Sequence, residues 1–308
     1  MKLYCLVLII GAICTLRAEI VSEDANFISY RQVDKVTVKL RKKPQRTVIC
    51  LGSLVQLWYA AGGEVVGIPR IRNFETLPEA ARKLPVFGGA FSPNQEKIMS
   101  FRPDLIIYAY RYERQRSLAE SLRRTGVETV GVKYDNFRDF AGLLDFFCRL
   151  NGGNMAENPE ANRVVSDVER ICRSVADKPK FSAAIVFATA AGFRLEGEES
   201  NIGTMINMLG GKNIAAGVPG RRVAFSYERM LMANPEVIFV VTMGEENMLK
   251  EKFKREIMSQ QAWGELSAAK SGRVYFLPES LFLQMPGMRF AEAFTYLSEL
   301  LYPERTAL

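Results

Sequence analysis

The sequence predicts an α/β chain of two similar lobes, and three observations carry that prediction. The run E-K-I-M-S-F-R-P-D-L-I-I from Glu96 returns class for class as E-R-M-L-M-A-N-P-E-V-I-F from Glu228, 132 residues on. Apolar strand-like runs alternate with helical segments on short turns, which indicates parallel sheet covered by helices. Between the halves, Glu160 to Val175 carries Val164, Val165, Val168, Ile171, Cys172 and Val175 on one helical face. Such a helix is a stiff strut where a Gly/Ser linker would be a loose hinge.

The elements follow in order. After a polar leader, Thr47-Val48-Ile49-Cys50-Leu51 reads as a buried strand. Gly52-Ser53 then opens a helix from Leu54 to Ala61, stopped by Gly62-Gly63. Glu64 to Ile68 is a second strand, broken at Pro69, and Leu84 to Gly89 a third short element. The Glu96 helix leads to strand Leu105–Tyr108, helix Ser117–Thr125 and strand Thr129–Val132. In the second half Ala183–Phe187 is a strand, and Asn201–Leu209 a helix closed by Gly210-Gly211. The Glu228 helix, strand Val237–Val241, strand Gly272–Leu277 and a closing helix Phe290–Leu301 complete the pass.

Residues 1–18 stand apart. Lys2, a short apolar run and a closing Ala18 read as a secretory signal peptide, too short to span a membrane comfortably. Ile13 occupies the place where lipid attachment at Cys14 would want Gly or Ala, so free secretion to the periplasm is expected over anchoring. No later segment reaches membrane-spanning length without charges. Without residues 1–18 the chain keeps 39 bases (41 less Lys2 and Arg17) against 34 acids, a net +5. Those charges are scattered, with no basic stripe interleaved with aromatics, so no nucleic-acid partner is expected.

The chain of 308 residues contains no histidine. Histidine-based triads, imidazole zinc sites and most general-base chemistry near neutral pH are thereby excluded. No metal site, cofactor or catalytic residue is expected. Any metal must be held by oxygen or sulfur, or arrive inside a chelate. Cys50, Cys148 and Cys172 carry no C-x-x-C spacing and read as three buried thiols, Cys148–Cys172 being the nearer pair if one disulfide forms.

The doubled segment has a physical reading. Asn94 and Ser226 are good N-caps, which puts Glu96 and Glu228 at the second helical position. Pro103 and Pro235 end the two helices, because the residue before proline is pushed out of the helical region. In parallel sheets helices begin at the edge where strands finish, which is also where ligands bind. An acid in the first turn gains about 0.3–1 kcal/mol from the helix dipole, and common ancestry would repeat it.

Taken together these segments resemble the substrate-binding proteins of ABC importers for iron-siderophores, haem and vitamin B12. The likeness runs in order through Thr47–Leu51, Val86-Phe87-Gly88-Gly89, Pro93-Asn94-Gln95-Glu96 and Pro103–Ile106, then Gly210–Ala215, Ser226-Tyr227-Glu228, Asn234–Ile238 and Gly272–Tyr275. It covers roughly Arg46 to Pro303. The resemblance implies two Rossmann-like lobes joined by a single long α-helix, with a ligand cleft between them. The implied division is signal peptide 1–18, leader 19–46, N-terminal lobe 47–152, inter-lobe helix 153–178 and C-terminal lobe 179–308. It further implies that Glu96 and Glu228 dock onto the two subunits of an importer permease, and that the protein works as a monomer. Members of the family often carry Ser-Pro and an acid where Gly52-Ser53 and Gln56 stand here.

Loops at strand ends supply the candidate ligand contacts: Gly52, Ser53, Arg70, Tyr110, Arg111, Arg194, Met243 and Met285. Arginines suit the anionic oxygens of an iron chelate. Tyr108, Tyr110 and Tyr112 alternate and would share a strand face; a phenolate could ligate ferric iron, while packing is the alternative. The expected function is capture of an iron(III)-siderophore, with haem or vitamin B12 as alternatives. A two-lobed enzyme or a sensor without an importer is the reading from another class.

Overall fold

The structure is a computed structural model, and it describes residues 20–71 and 74–303. The expected signal peptide, with Cys14 and Ala18, lies outside the described residues. The chain divides into two compact units. Residues through Tyr134 together with Arg138–Arg163 form the first, and Asp135–Phe137 with the chain from Val164 form the second.

The first unit begins with an antiparallel meander of β1 (Ile20–Glu23), β2 (Phe27–Arg31) and β3 (Thr37–Arg41). The meander occupies the segment, residues 19–46, expected as a polar leader. Its period-2 signal is carried by few residues: Ile28, Tyr30 and Leu40 are buried while their neighbours are half-buried or exposed. Tyr30 stacks on Phe146 with ring centroids 4.2 Å apart, which seats the meander on the unit.

The parallel core follows: β4 (Thr47–Ile49), α1 (Gly52–Ala60), β5 (Ile68–Arg70), β6 (Val86–Gly89) and β7 (Ser92–Pro93). Next come α2 (Gln95–Ser100), β8 (Leu105–Ala109), α3 (Glu113–Arg123), β9 (Glu128–Val132), α4 (Phe137–Leu150) and α5 (Pro159–Ser174). Strands β4-β8-β9 are parallel neighbours, β5 pairs β6 in parallel, and β6 turns back antiparallel onto β7. All five residues of β8 are buried, as a strand covered on both faces requires. The chain passes from the first unit to the second within α5, after Arg163.

The second unit holds β10 (Phe181–Thr189), β11 (Gly192–Glu196), α6 (Asn201–Met208), β12 (Gly211–Asn213), β13 (Arg222–Ala224), α7 (Tyr227–Ala233) and β14 (Val237–Met243). It continues through α8 (Glu246–Phe253), β15 (Val274–Phe276), α9 (Glu279–Phe282) and α10 (Phe290–Leu301). Its sheet runs β13-β11-β10-β14-β15, with β12 also on β10. The β10-β14-β15 portion is parallel, while β11 and β13 are antiparallel additions that the sequence reading did not contain. One face packs a core of Val186, Leu195, Met230, Val240, Phe253 and Trp263.

Candidate functional site

The repeated segment folds as the same small module in both units. Asn94 Oδ1 accepts from the Lys97 amide at 2.8 Å, and Ser226 Oγ accepts from the Arg229 amide at 3.2 Å. Each cap satisfies one of the free amides at a helix start. Glu96 and Glu228 stand one residue past the first helical position, and both are exposed. The helices stop before their prolines through a left-handed residue at the same place in the repeat, Arg102 (φ 49°) and Asn234 (φ 41°). Pro103 and Pro235 are then buried and lead into β8 and β14.

The two repeated acids of the module do different work. The second, Asp104 or Glu236, is spent on backbone. Asp104 accepts from the amides of Gln45 and Arg46 at 2.7 and 3.0 Å, and Glu236 accepts from the Ser182 amide at 2.8 Å. Each pins the neighbouring strand where it begins. The first, Glu96 or Glu228, has no ion pair or hydrogen-bonded partner for its side chain among the described residues.

Of the ligand candidates in the first unit, Gly52 opens α1 directly after β4 and is buried. A Cβ there would run into the Ile71 side chain, so the close approach accounts for glycine. Ser53 is half-buried, and Arg70 ends β5 exposed and unpaired among the described residues. Tyr108 and Tyr110 share one face and stack with ring centroids 6.5 Å apart, and Tyr112 departs from it. Strand β8 ends at Ala109; Tyr108 is a buried core residue, and Tyr112 is the N-cap of α3. Burial pushes the Tyr108 phenol up, against the pull of Arg123. Tyr110 lies 5.3 Å below the Arg116 guanidinium. Tyr112 packs edge-on to Phe91 at 5.0 Å, and its Oη accepts from Arg111 at 2.6 Å. Packing accounts for these rings.

A residue absent from the sequence reading organises this edge. Gln115, fully buried on α3, accepts from the Ala109 amide at 3.0 Å and donates to Cys50 O at 3.0 Å and Ala90 O at 2.8 Å. One amide thus fastens the carboxyl ends of β4 and β8 to the loop after β6. Glutamine within a helix looks solvent-facing in a sequence, so no local signal marks it.

In the second unit Arg194 is exposed on β11, Met243 is half-exposed at the end of β14, and Met285 is half-buried beyond α9. Closer to the sheet, Glu196 Oε1 accepts from Arg222 Nε at 2.7 Å, and the Arg222 guanidinium lies 3.5 Å from the Phe187 ring centroid. The sequence reading named neither residue of this pair, which sits 26 residues apart on two short strands.

Among the described residues, no cluster of three or more Cys, Asp or Glu side chains is placed to hold a metal ion. All three cysteines there are free thiols. Cys50 and Cys148 are buried and Cys172 is half-buried. Burial pushes Cys50 and Cys172 up to about 12 and Cys148 up to about 11. No helix of the described residues is long and apolar enough to cross a membrane.

Two α/β units, each with a parallel sheet core and a capped helix presenting an unpaired acid, define a two-lobed binding-protein fold. The model of the periplasmic binding protein family matches residues 48–281, and the chain belongs to that family. It is 23% identical over 247 residues to the high-affinity heme uptake system protein IsdE of Staphylococcus aureus (strain MRSA252), covering 78% of this chain and 82% of that one. It is 24% identical over 274 residues to the uncharacterized ABC transporter substrate-binding lipoprotein YvrC of Bacillus subtilis (strain 168), covering 87% and 83%. In fold it is similar to the periplasmic vitamin B12 binding protein BtuF of Vibrio cholerae. That match has a TM-score of 0.64 at 20% identity, covering 84% of this chain and 97% of that one.

Proposed function

We propose that this protein captures a metal chelate outside the cytoplasmic membrane and delivers it to an ABC importer, with one lobe glutamate contacting each permease subunit. The observation that carries this reading is the pair Glu96 and Glu228. They occupy one position in a repeated module whose other acid is consumed structurally, and their own side chains have no partner among the described residues. Two equivalent acids suit a partner with two equivalent basic sites. The names of IsdE and YvrC support import of this kind. Binding is non-catalytic in this reading, and turnover of a bound chelate would overturn it.

The cargo we favour is an iron(III)-siderophore. Exposed guanidinium groups, Arg70 at the end of β5 and Arg194 in the middle of β11, suit anionic chelate oxygens, and without histidine the metal arrives already chelated. Haem and vitamin B12 are the second reading, supported by what IsdE and BtuF are named for. Residues 1–18 serve as the export signal, so the exported chain begins at Glu19; intact mass of the periplasmic protein checks this, and a lipid-bearing Cys14 would refute it.

The test combines Glu96→Arg with Glu228→Arg. The variant is expected to bind its chelate with unchanged Kd and to lose transport into vesicles holding the permease by tenfold or more. Normal transport would sink the docking role. The absorption spectrum of the chelate that co-purifies separates a ferric siderophore, haem and a corrin.

A further inference from the structure

The amino-terminal meander of the first unit concentrates positive charge. Residues 20–46 hold seven lysines and arginines against three acids, a net +4, where the whole chain from Glu19 nets +5. Strand register decides which side chains share a face. Phe27 stands opposite Arg41, Ser29 opposite Lys39 and Arg31 opposite Thr37, so these six side chains line one face of β2 and β3. Ile28, Tyr30 and Leu40 point the other way and are buried. The outer face therefore carries three exposed bases and no acid. Arg31, Lys39 and Arg41 make no ion pair among the described residues.

The three acids of the segment are occupied off this face. Glu23 pairs with Lys42 at 2.7 Å and Arg149 at 3.0 Å. Asp24 accepts from the amides of Asn26 and Phe27 in the first turn, and Asp34 from the Val36 amide in the second. Asp24 feels the charge of Lys39 but forms no ion pair with it. Phe27 is half-buried beneath two cations, with Lys39 Nζ 4.3 Å and the Arg41 guanidinium 5.9 Å from its ring centroid. At the β2–β3 turn, Val33 and Val36 are 42% and 49% exposed on either side of Asp34 and Lys35.

This face spreads its bases in two dimensions, which matches a charged surface better than a single strand. Its one aromatic already lies under Lys39, so it offers no platform on which nucleic-acid bases could stack. An anionic lipid surface meets each feature. Lysine and arginine are drawn to acidic headgroups, an aromatic ring sits at headgroup depth, and exposed valines at a turn tip reach the boundary of the acyl chains.

We infer that the outer face of the meander binds the anionic phospholipid surface of the cytoplasmic membrane. This goes beyond the import reading above and rests on it only for export without a lipid. A chain with no lipid has no covalent tether, and this face supplies a reversible one that holds the protein near the membrane it serves.

The test sediments the exported protein with vesicles of phosphatidylcholine, with and without phosphatidylglycerol. Partition is expected to be tenfold or more higher on the phosphatidylglycerol vesicles and to fall tenfold or more as salt is raised. Lys39→Gln with Arg41→Gln is expected to lose that gain while the melting temperature and the chelate Kd stay unchanged. Val33→Ser with Val36→Ser is expected to weaken partition at low and high salt alike. Equal partition onto both kinds of vesicle overturns the inference, and so does a salt-independent partition of the natural protein. A double glutamine variant that partitions like the natural protein overturns it too, as does tighter binding of single-stranded DNA through the same two bases. Each of these leaves the import reading standing. Selective partition by a protein that binds no chelate sinks the import reading and leaves the membrane face.

Discussion

Gln115 shows how much a single buried side chain decides. Its amide makes three hydrogen bonds that hold two strand ends and a loop together. Gln115→Leu keeps the bulk but leaves Ala109 N, Cys50 O and Ala90 O without that partner. At about 0.5–1.5 kcal/mol per bond, the expected loss over three bonds is about 1.5–4.5 kcal/mol, read from urea unfolding. Glu23 makes a smaller, pH-dependent contribution. Burial raises its carboxyl, but hydrogen bonds and charge from Lys42 at 2.7 Å and Arg149 at 3.0 Å outweigh it and hold the group below its ordinary 4.5. A depressed carboxylate stabilises the fold fully above about pH 4.5, and that contribution fades as pH falls through the lowered folded value. Glu23→Gln is therefore expected to cost about 0.5–1 kcal/mol at pH 7. Urea midpoints of the variant and the natural protein should converge toward pH 3; a gap that persists there contradicts the assignment.

At the scale of elements, the repeated cap, short helix, left-handed turn and proline form one module used twice. Helices of six and seven residues are too short to be stable by propensity alone, so their caps and packing hold them. Asn94→Ala and Ser226→Ala are each expected to cost about 0.5–2 kcal/mol. The two sites lie in different units and share no partner, so the double variant should show the sum in thermal or urea unfolding. A double variant no less stable than either single one would refute the independence of the two modules. The same elements show where sequence reading stops. The closing helix Phe290–Leu301 came out at the expected bounds, because twelve residues of one periodicity speak clearly. Strands β1 to β3, β11 and β13 are three to five residues long, and so few alternations do not stand out from a polar loop.

For the whole molecule, the cysteines report on processing and folding together. Burial raises all three described thiols toward 11 or 12, which leaves little thiolate at neutral pH. The native exported protein is expected to react slowly with a thiol reagent and the denatured protein to give three thiols. Five would mean that Cys5 and Cys14 are retained, and one would mean that a pair had been oxidised.

The sequence by itself determined the two-unit α/β plan, the long helix and the twin capped modules with a glutamate at the second helical position of each. These features rest on periodicity, capping and proline geometry, which act within a few residues of chain. Tertiary structure decided which polar atoms meet. Gln115 reaches Cys50 and Ala90, and Glu196 meets Arg222, only once strand registers are set. Hydrogen bonds at this range depend on register and on closure of long loops, and a one-residue slip would turn those side chains to the opposite face.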